Sequence, residues 1–273
     1  MKWVDLRPVI DPVHGTVTPS ERGGGFSPAD RTALEVALQM AEAWECEAVI
    51  VCAGPPDADR GLLELAASGA MRVVRIDQSS GLHSETVADV LASVLGPGEL
   101  DARAVVCGDL SYDRGSGSVP GLLAHHLQFA QALGLISVTP ESAGATAVRR
   151  LDGARRERLA INGPAVYSVE GAVATLRRAP LSASLGSAAK GPTLHVERGR
   201  IEAHVEPPRM RPWRPRARVL PPPAGNSALD RITQLTGAGL DTEPPRSVEA
   251  EPAEAARMIV EQLRSWGYLG GDD

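Results

Sequence analysis

Two hydrophobic periods alternate along the first half of the chain, and the switches between them set out an order of elements. Short apolar-rich runs at Lys2–Leu6, Ala48–Cys52, Arg72–Ile76, Arg103–Cys107 and Gly134–Val138 read as strands. Between them, apolar residues recur three and four apart. Ser27-Pro28-Ala29-Asp30 opens the first of these stretches. Ser27 is an N-cap, and Pro28 at the first helical position forfeits no hydrogen bond, because that N–H has no intrahelical partner in any case. Leu34, Ala37, Leu38 and Ala41 follow at helical spacing, and the helix ends before Glu45. Further helices are predicted over Asp57–Ser68, closed by Gly69, over His83–Leu95, closed by Gly96-Pro97, and over Val119–Phe129. Strands alternating with helices in this way predict an α/β fold with a doubly wound, mostly parallel sheet and helices on both faces.

Past residue 138 the pattern changes. Thr146–Leu151 and Arg155–Ile161 flank Asp152-Gly153, a hairpin signal, and Pro164–Val169 makes one more strand. An antiparallel extension of the parallel sheet is the natural reading. Ala179–Lys190 is small, polar and rich in Pro and Ser, and reads as an exposed loop. Residues 191–250 carry many Pro, Arg and Gly and few periodic apolar positions, so they are expected to be extended, with a short helix near Ser227–Gln234. Pro252–Tyr268 is an amphipathic helix with Ala255, Ile259 and Leu263 on one face, extended by Met258, Trp266 and Leu269. The division expected is an α/β domain over 1–190 and an extended tail over 191–273.

Composition narrows this picture. Hydrophobic residues make up 43% of the 273 and aromatic residues 3%, so aliphatic side chains must build the core. The formal net charge of -6 argues against general nucleic-acid binding, although Arg209, Arg211, Arg214, Arg216 and Arg218 form a local basic run. Cys46, Cys52 and Cys107 fit no zinc or redox motif, and read as small buried thiols in a reducing, cytoplasmic setting. No stretch approaches the roughly 20 apolar residues of a membrane span.

Candidate chemistry collects where strands end and helices begin, the crevice in which open α/β sheets hold ligands. Asp5, the turn Ser27, Pro28, Ala29 and Asp30, the strand end Ala53-Gly54, and the loop Gly115, Ser116, Gly117, Ser118 and Val119 all fall there. In that loop, glycines allow close approach of backbone N–H groups, serines add hydroxyls, and the following helix offers its positive N-terminus to a phosphate. The same residues also serve as an ordinary flexible loop with an N-cap at Ser118. The loop lacks the Gly-Lys-Ser/Thr ending of a Walker A motif. His125-His126 reads as exposed helix surface rather than a metal site, since adjacent helical residues point apart. Trp3 and Tyr112 are possible stacking surfaces for an adenine, but single aromatics more often pack. No nucleophile triad or paired-carboxylate arrangement is present.

Several segments, in order, resemble the β subunit of electron transfer flavoproteins. Val4-Asp5-Leu6-Arg7-Pro8-Val9-Ile10-Asp11-Pro12 is similar to that family's V-K-R-V-P-D-P opening. Ser27-Pro28-Ala29-Asp30 with Ala33-Leu34-Glu35 and Ala37-Leu38 resembles its N-P-x-D-x-x-A-L-E-x-A-L helix start. Cys52-Ala53-Gly54-Pro55 with Ala66–Met71, Asp113 through Ala124, Gly163-Pro164-Ala165-Val166 and the closing helix also resemble family segments. There are departures. Ser27 replaces an Asn, Ser118 a Gln, Pro120-Gly121 inverts a Gly-Pro, and the family's lysine run is reduced to Lys190. The chain is most similar to the β-like subunits associated with the mycofactocin redox system of actinobacteria.

The resemblance implies an electron-carrier subunit rather than an enzyme, with an adenine-nucleotide α-hydrolase-like fold and a tail that wraps a partner. That partner is an α subunit holding FAD, and a dehydrogenase supplies the electrons. The crevice would hold AMP, or a second FAD as in electron-bifurcating members, and Leu181 takes the place of the family's anchoring leucine. The rival reading is a nucleotide-binding regulatory protein of the universal-stress type, against which the long tail and closing helix count. An ATP-dependent activating enzyme would need an S-G-G-x-D-S loop, which is missing.

Overall fold

One helix organises the core. In a computed structural model, α1 (Pro28–Ala43) starts with Ser27 and Asp30 capping each other reciprocally, side chain to backbone in both directions. The model describes the chain apart from residues 12, 19, 21–22, 71, 80, 185–191, 199–222, 224–226, 237–246, 267 and 269–273. Leu34 and Leu38 of α1 pack with Ile50, Cys52, Leu62 and Val73. Ala33, Val36 and Met40, round the helix, pack with Ala132, Leu135, Ala145 and Tyr167. The two stripes belong to two different sheets, and α1 covers both.

The first of these sheets runs β12-β6-β5, all parallel, and the second runs β10-β9-β8-β11-β7. Here β5 is Val49–Gly54, β6 Arg72–Asp77 and β12 Thr193–Arg198. In the other sheet β7 is Ala104–Gly108, β8 Ala130–Glu141, β9 Gly144–Arg150, β10 Arg156–Ile161 and β11 Ala165–Val169. β11 runs parallel to β7 and β8, while β8-β9-β10 is an antiparallel meander. Helices α2 (Asp59–Ala66), α3 (Ser84–Leu95) and α4 (Ser118–Leu127) complete the alternation. Val90, Leu91 and Leu95 of α3, with Leu123 and Ala124 of α4, pack on Ile76, Val105 and Val166 across the same two sheets. Each such fully buried aliphatic side chain contributes about 1.5–3 kcal/mol. Mixed α/β architecture with a mostly parallel sheet and an antiparallel extension is therefore as expected.

Three details differ from the sequence reading. The opening run does not join the parallel sheet: β1 (Val4–Asp5) pairs antiparallel with β4 (Gly24–Gly25), and the exposed pair β2 (Val9–Ile10) and β3 (Val17–Thr18) forms a small hairpin. Trp3 holds that arrangement by packing edge-on to Phe26, with centroids 5.2 Å apart. β8 starts at Ala130, directly after α4, because Gln128 at φ 56° reverses the chain at the helix end. Thr193–Arg198, inside the stretch read only as extended, is a strand with a partner in β6. The loop after Ala179 carries a single turn, α5 (Leu181–Ser184), and Lys190 lies outside the described residues.

A buried ion pair fastens the segment that follows β11. Glu35 of α1, with 7% of its side chain exposed, accepts from the Arg177 guanidinium at 2.9 Å and from the Arg177 backbone N–H at 3.0 Å. Arg177 also meets Glu42, and Gln39 donates to Glu35. Arg177 beside it keeps the Glu35 carboxyl below its ordinary value against the opposing effect of burial. Thr32 Oγ1, one turn earlier, donates to the carbonyls of Gly171 and Ala174.

The chain divides into two units, Met1–Pro212 and Trp213–Asp273. Within the second, α6 (Ala228–Thr236) begins with a Ser227–Asp230 capping pair. α7 (Pro252–Ser265) leaves Met258 and Ile259 exposed, and Trp266 meets Tyr268 edge-on just after it. The arginine run from 209 to 218 lies outside the described residues.

Candidate functional site

The C-terminal ends of β5, β7 and β11 and the first turns of α1 and α4 supply most of the expected site. Asp109, just past β7, donates its N–H to Val169 O at the end of β11. Gly108 abuts α1 so closely that a Cβ there would lie 2.8 Å from that of Ala29, and Gly171 approaches the Ala29 backbone from β11's side. The strand ends and the α1 N-terminus thus meet with no side chain between them.

The loop 109–117 rises from this junction. Gly115 and Gly117 both have positive φ, 62° and 60°. Gly115 N–H donates to Ser111 O, and a Cβ on Gly117 would lie 2.8 Å from Asp109 O. Only glycine fits this tight return without strain. Ser116 and Ser118 share a hydroxyl–hydroxyl bond of 2.9 Å. The N–H groups of Ser116, Gly117 and Val119 have no partner among the described residues, and they sit at the start of α4. Free amides at a helix N-terminus, with no Cβ on Gly117 to block them, suit a phosphate. Pro120 removes one donor from this turn. Lys2 Nζ reaches the loop through Asp113 at 2.7 Å.

The remaining expected residues hold the crevice together. Ser27 and Asp30 are buried, and Ser27 Oγ donates to Asp30 at 2.9 Å, so these two side chains satisfy each other. What they lend a ligand is the orientation of α1, whose Pro28 has no N–H to give. Asp5 accepts from Arg7 N–H at 2.9 Å and Ser20 N–H at 2.6 Å, closing the opening loop. Gly54 O, next to Ala53, accepts from the buried Arg75 at 2.9 Å, and Arg75 is held between Asp59 and Asp77. This triad escaped the sequence reading, because a lone Arg in an apolar strand gives no hint of two acidic partners on separate elements.

Other candidates take structural parts. The Trp3 ring lies against Gly24 and Phe26 and is core packing, while Tyr112 is exposed on the 109–117 loop. His125 and His126 are exposed with rings 6.0 Å apart, and no group of three metal-ligating side chains exists among the described residues. Cys46 is exposed and Cys52 buried, and burial pushes the Cys107 thiol up to about 11. Leu181 is 72% exposed at the start of α5. Among the described residues, no helix is long and apolar enough to cross a membrane.

The model of the electron transfer flavoprotein domain matches residues 15–197, which take in α1, the 109–117 loop and both sheets. The chain is 27% identical over 260 residues to the electron transfer flavoprotein subunit beta of Chromohalobacter salexigens, covering 93% of this chain and 90% of that protein. It is 29% identical over 122 residues to the electron transfer flavoprotein subunit beta of Clostridium acetobutylicum, covering 45% of this chain and 47% of that protein.

Proposed function

Since the chain belongs to the electron transfer flavoprotein domain family, we propose that it is a β-type subunit of such a carrier, working as a heterodimer with an α subunit in the cytoplasm. The family match across residues 15–197 carries this reading. It is an electron carrier's subunit and not an enzyme. FAD held mainly by the α partner supplies the redox chemistry. This chain contributes a wall of that site, a docking surface, and a structural nucleotide site in its own crevice. Electron transfer demands close redox centres, so the geometry of docking is the mechanism.

In the crevice, an AMP-like nucleotide is held with its phosphate on the amides of 116–119 and its adenine against the ends of β1 and β5, at Asp5 and Ala53-Gly54. The left-handed glycines and partnerless amides support this placement. With Pro120 in the helix start and the shorter Ser118, binding is expected to be weaker than in typical members. The decisive experiment is co-expression with the α subunit. A yellow heterodimer is expected, and a colourless homodimer would favour a nucleotide-sensing protein of the universal-stress type instead. The mycofactocin-associated branch is the proposed setting, to be tested by whether a dehydrogenase of that system reduces the heterodimer.

Two further outcomes are expected. Leu181→Ala should slow electron delivery from the dehydrogenase about tenfold or more while leaving the melting temperature unchanged, since a Leu seated in a partner pocket contributes about 1.5–3 kcal/mol. An unchanged rate places the docking site elsewhere. The tail 191–273 is the contact proposed for the α subunit, with the apolar face of α7 at its centre and with the exception of β12, which pairs with β6 of this chain. Hydrogen exchange at 252–265 should be fast in the isolated chain and slow once the α subunit is added. Strong protection without the partner would contradict this.

A further inference from the structure

The meander β8-β9-β10 has one covered face and one bare one. Ala145 and Ala147 of β9, with Leu159 and Ile161 of β10, pack against α1. Successive side chains of a strand point to opposite faces, so Thr146, Val148 and Arg150 share the other face with Ala160, Arg158 and Arg156. The cluster under α3 and α4 draws on β5, β6, β7 and β11 and takes in no residue of β9 or β10. Arg150, Arg156, Arg158 and Ala160 are accordingly exposed.

That face gathers positive charge on a chain whose formal net charge is -6. Arg156 stands directly opposite Arg150 in the register, and Arg158 lies two residues along on the same face. Cross-strand neighbours sit about 5 Å apart at Cβ, and like charges at that spacing destabilise a sheet. Little offsets them. Arg150 reaches Glu170 at 3.3 Å, whereas Arg156 and Arg158 have no ion-pair partner among the described residues. Glu157 is turned to the α1 face, where Arg149 holds it. Arg155 at the turn adds a further exposed guanidinium, with its Nε on the Asp152 carbonyl. Protection of a sheet edge explains charge on β10 but not Arg150, because β9 is an inner strand.

The chemistry of the face limits what it can hold. Ser137 and Thr139 of β8, exposed and paired with Val148 and Thr146, extend it with small polar groups. Between residues 130 and 161 the only large apolar side chain that is exposed is Leu151, in the turn. A face without an apolar centre does not suit a permanent subunit contact or insertion into a membrane. A nucleic acid would run on past three arginines over an acidic molecule. A compact group of carboxylates on a folded protein fits. Polar, charged contacts of this kind belong to transient encounters steered by electrostatics.

We propose that the outer face of β9 and β10 is a docking surface for an acidic protein, with Arg150, Arg156 and Arg158 receiving its carboxylates. On the carrier reading, such a partner is one that exchanges electrons and must leave again quickly. Arginine suits the task, since its planar guanidinium can hold a carboxylate through two parallel N–H donors. The repulsion between Arg150 and Arg156 in the unbound protein is then relieved by the partner.

The probe is a peptide of eight glutamates, titrated into the full chain at about 20 mM salt while the arginine side-chain N–H signals are followed by NMR. Arg150, Arg156 and Arg158 are expected to shift, and the shifts should vanish at about 200 mM salt. Arg156→Ser combined with Arg158→Ser should weaken the peptide about tenfold. Arg156→Glu should weaken it as much while raising the melting temperature by about 1–4 °C, because it turns a repelling pair into an attracting one. That rise separates loss of a docking surface from loss of the fold. A DNA duplex and vesicles of phosphatidylserine are titrated in parallel. Tighter binding of either, peptide shifts confined to the arginines of 209–218, or unchanged affinity in the variants would each overturn the proposal. The peptide titration needs neither flavin nor a second subunit, so it can fail while the carrier reading stands, and the reverse.

Discussion

Gly117→Asp is expected to weaken nucleotide binding by the heterodimer about a hundredfold or more. The substitution acts twice. It puts a carboxylate beside the amides proposed to hold the phosphate, and like charges a few ångströms apart at a partly shielded site cost about 3 kcal/mol, which is two decades of affinity. It also adds a Cβ at a residue with φ of 60°, 2.8 Å from Asp109 O. Gly117→Ala shares the backbone cost without the charge, so the gap between the two variants isolates the electrostatic part. Calorimetry with AMP, ADP and FAD measures both. If Gly117→Asp binds as well as the unmodified heterodimer, the phosphate lies elsewhere. If the unmodified heterodimer binds none of the three, the crevice holds no nucleotide.

Arg177→Ala is expected to cost about 2 kcal/mol at neutral pH, a fall in melting temperature of roughly 4–8 °C. The estimate sits below that for a fully buried pair because the Arg177 side chain is 34% exposed. Removing Arg177 strands the Glu35 carboxylate at 7% exposure with Gln39 as its remaining side-chain donor, which is worse than removing both charges. The pH dependence follows from the sign of the shift. In the unaltered protein the Glu35 pKa lies below its ordinary 4.5, so the pair's contribution is full above that value and fades as pH falls through the lowered folded pKa. In Arg177→Ala only the backbone N–H of residue 177 and Gln39 still oppose burial, so the Glu35 pKa lies higher than in the unaltered protein and protonation relieves part of the defect. The gap between the two proteins should therefore be widest near pH 7 and shrink toward pH 4. A gap independent of pH would mean that Arg177 acts through packing alone.

What could be read in the sequence was local. The Asp152-Gly153 turn announced β9 and β10, and Gly153 at φ 70° turns the chain there. Ser27-Pro28 announced α1, and Gly115 and Gly117 announced a loop ahead of α4, though not its positive φ angles. What could not be read was pairing at a distance. Nothing near Arg177 points to Glu35, nothing near Arg75 points to Asp59 and Asp77, and although Leu194 and Val196 alternate with polar neighbours in Thr193–Arg198, nothing in that run names β6 as its partner. The opening run was misplaced for a related reason. Lys2–Leu6 has strand composition, but its pairing is decided by Gly24–Gly25 and by Trp3 packing on Phe26, beyond a long loop. In the crevice, the residue types were legible, but the mutual capture of Ser27 and Asp30 was visible only once both side chains had neighbours.

The position of β12 bears on how the molecule is made. Thr193 pairs with Arg72, so β6 keeps an open edge until the ribosome has completed α3, α4 and the whole β8-β9-β10 meander. Closing so long a loop is slow, because chain entropy is lost before any new contact compensates. β12 should therefore add last, onto an otherwise assembled body, and refolding should show a late phase that Pro substitutions in β12 lengthen or remove. A chain cut before residue 193 keeps β6 as a bare edge, the kind of template on which unrelated copies stack into aggregates.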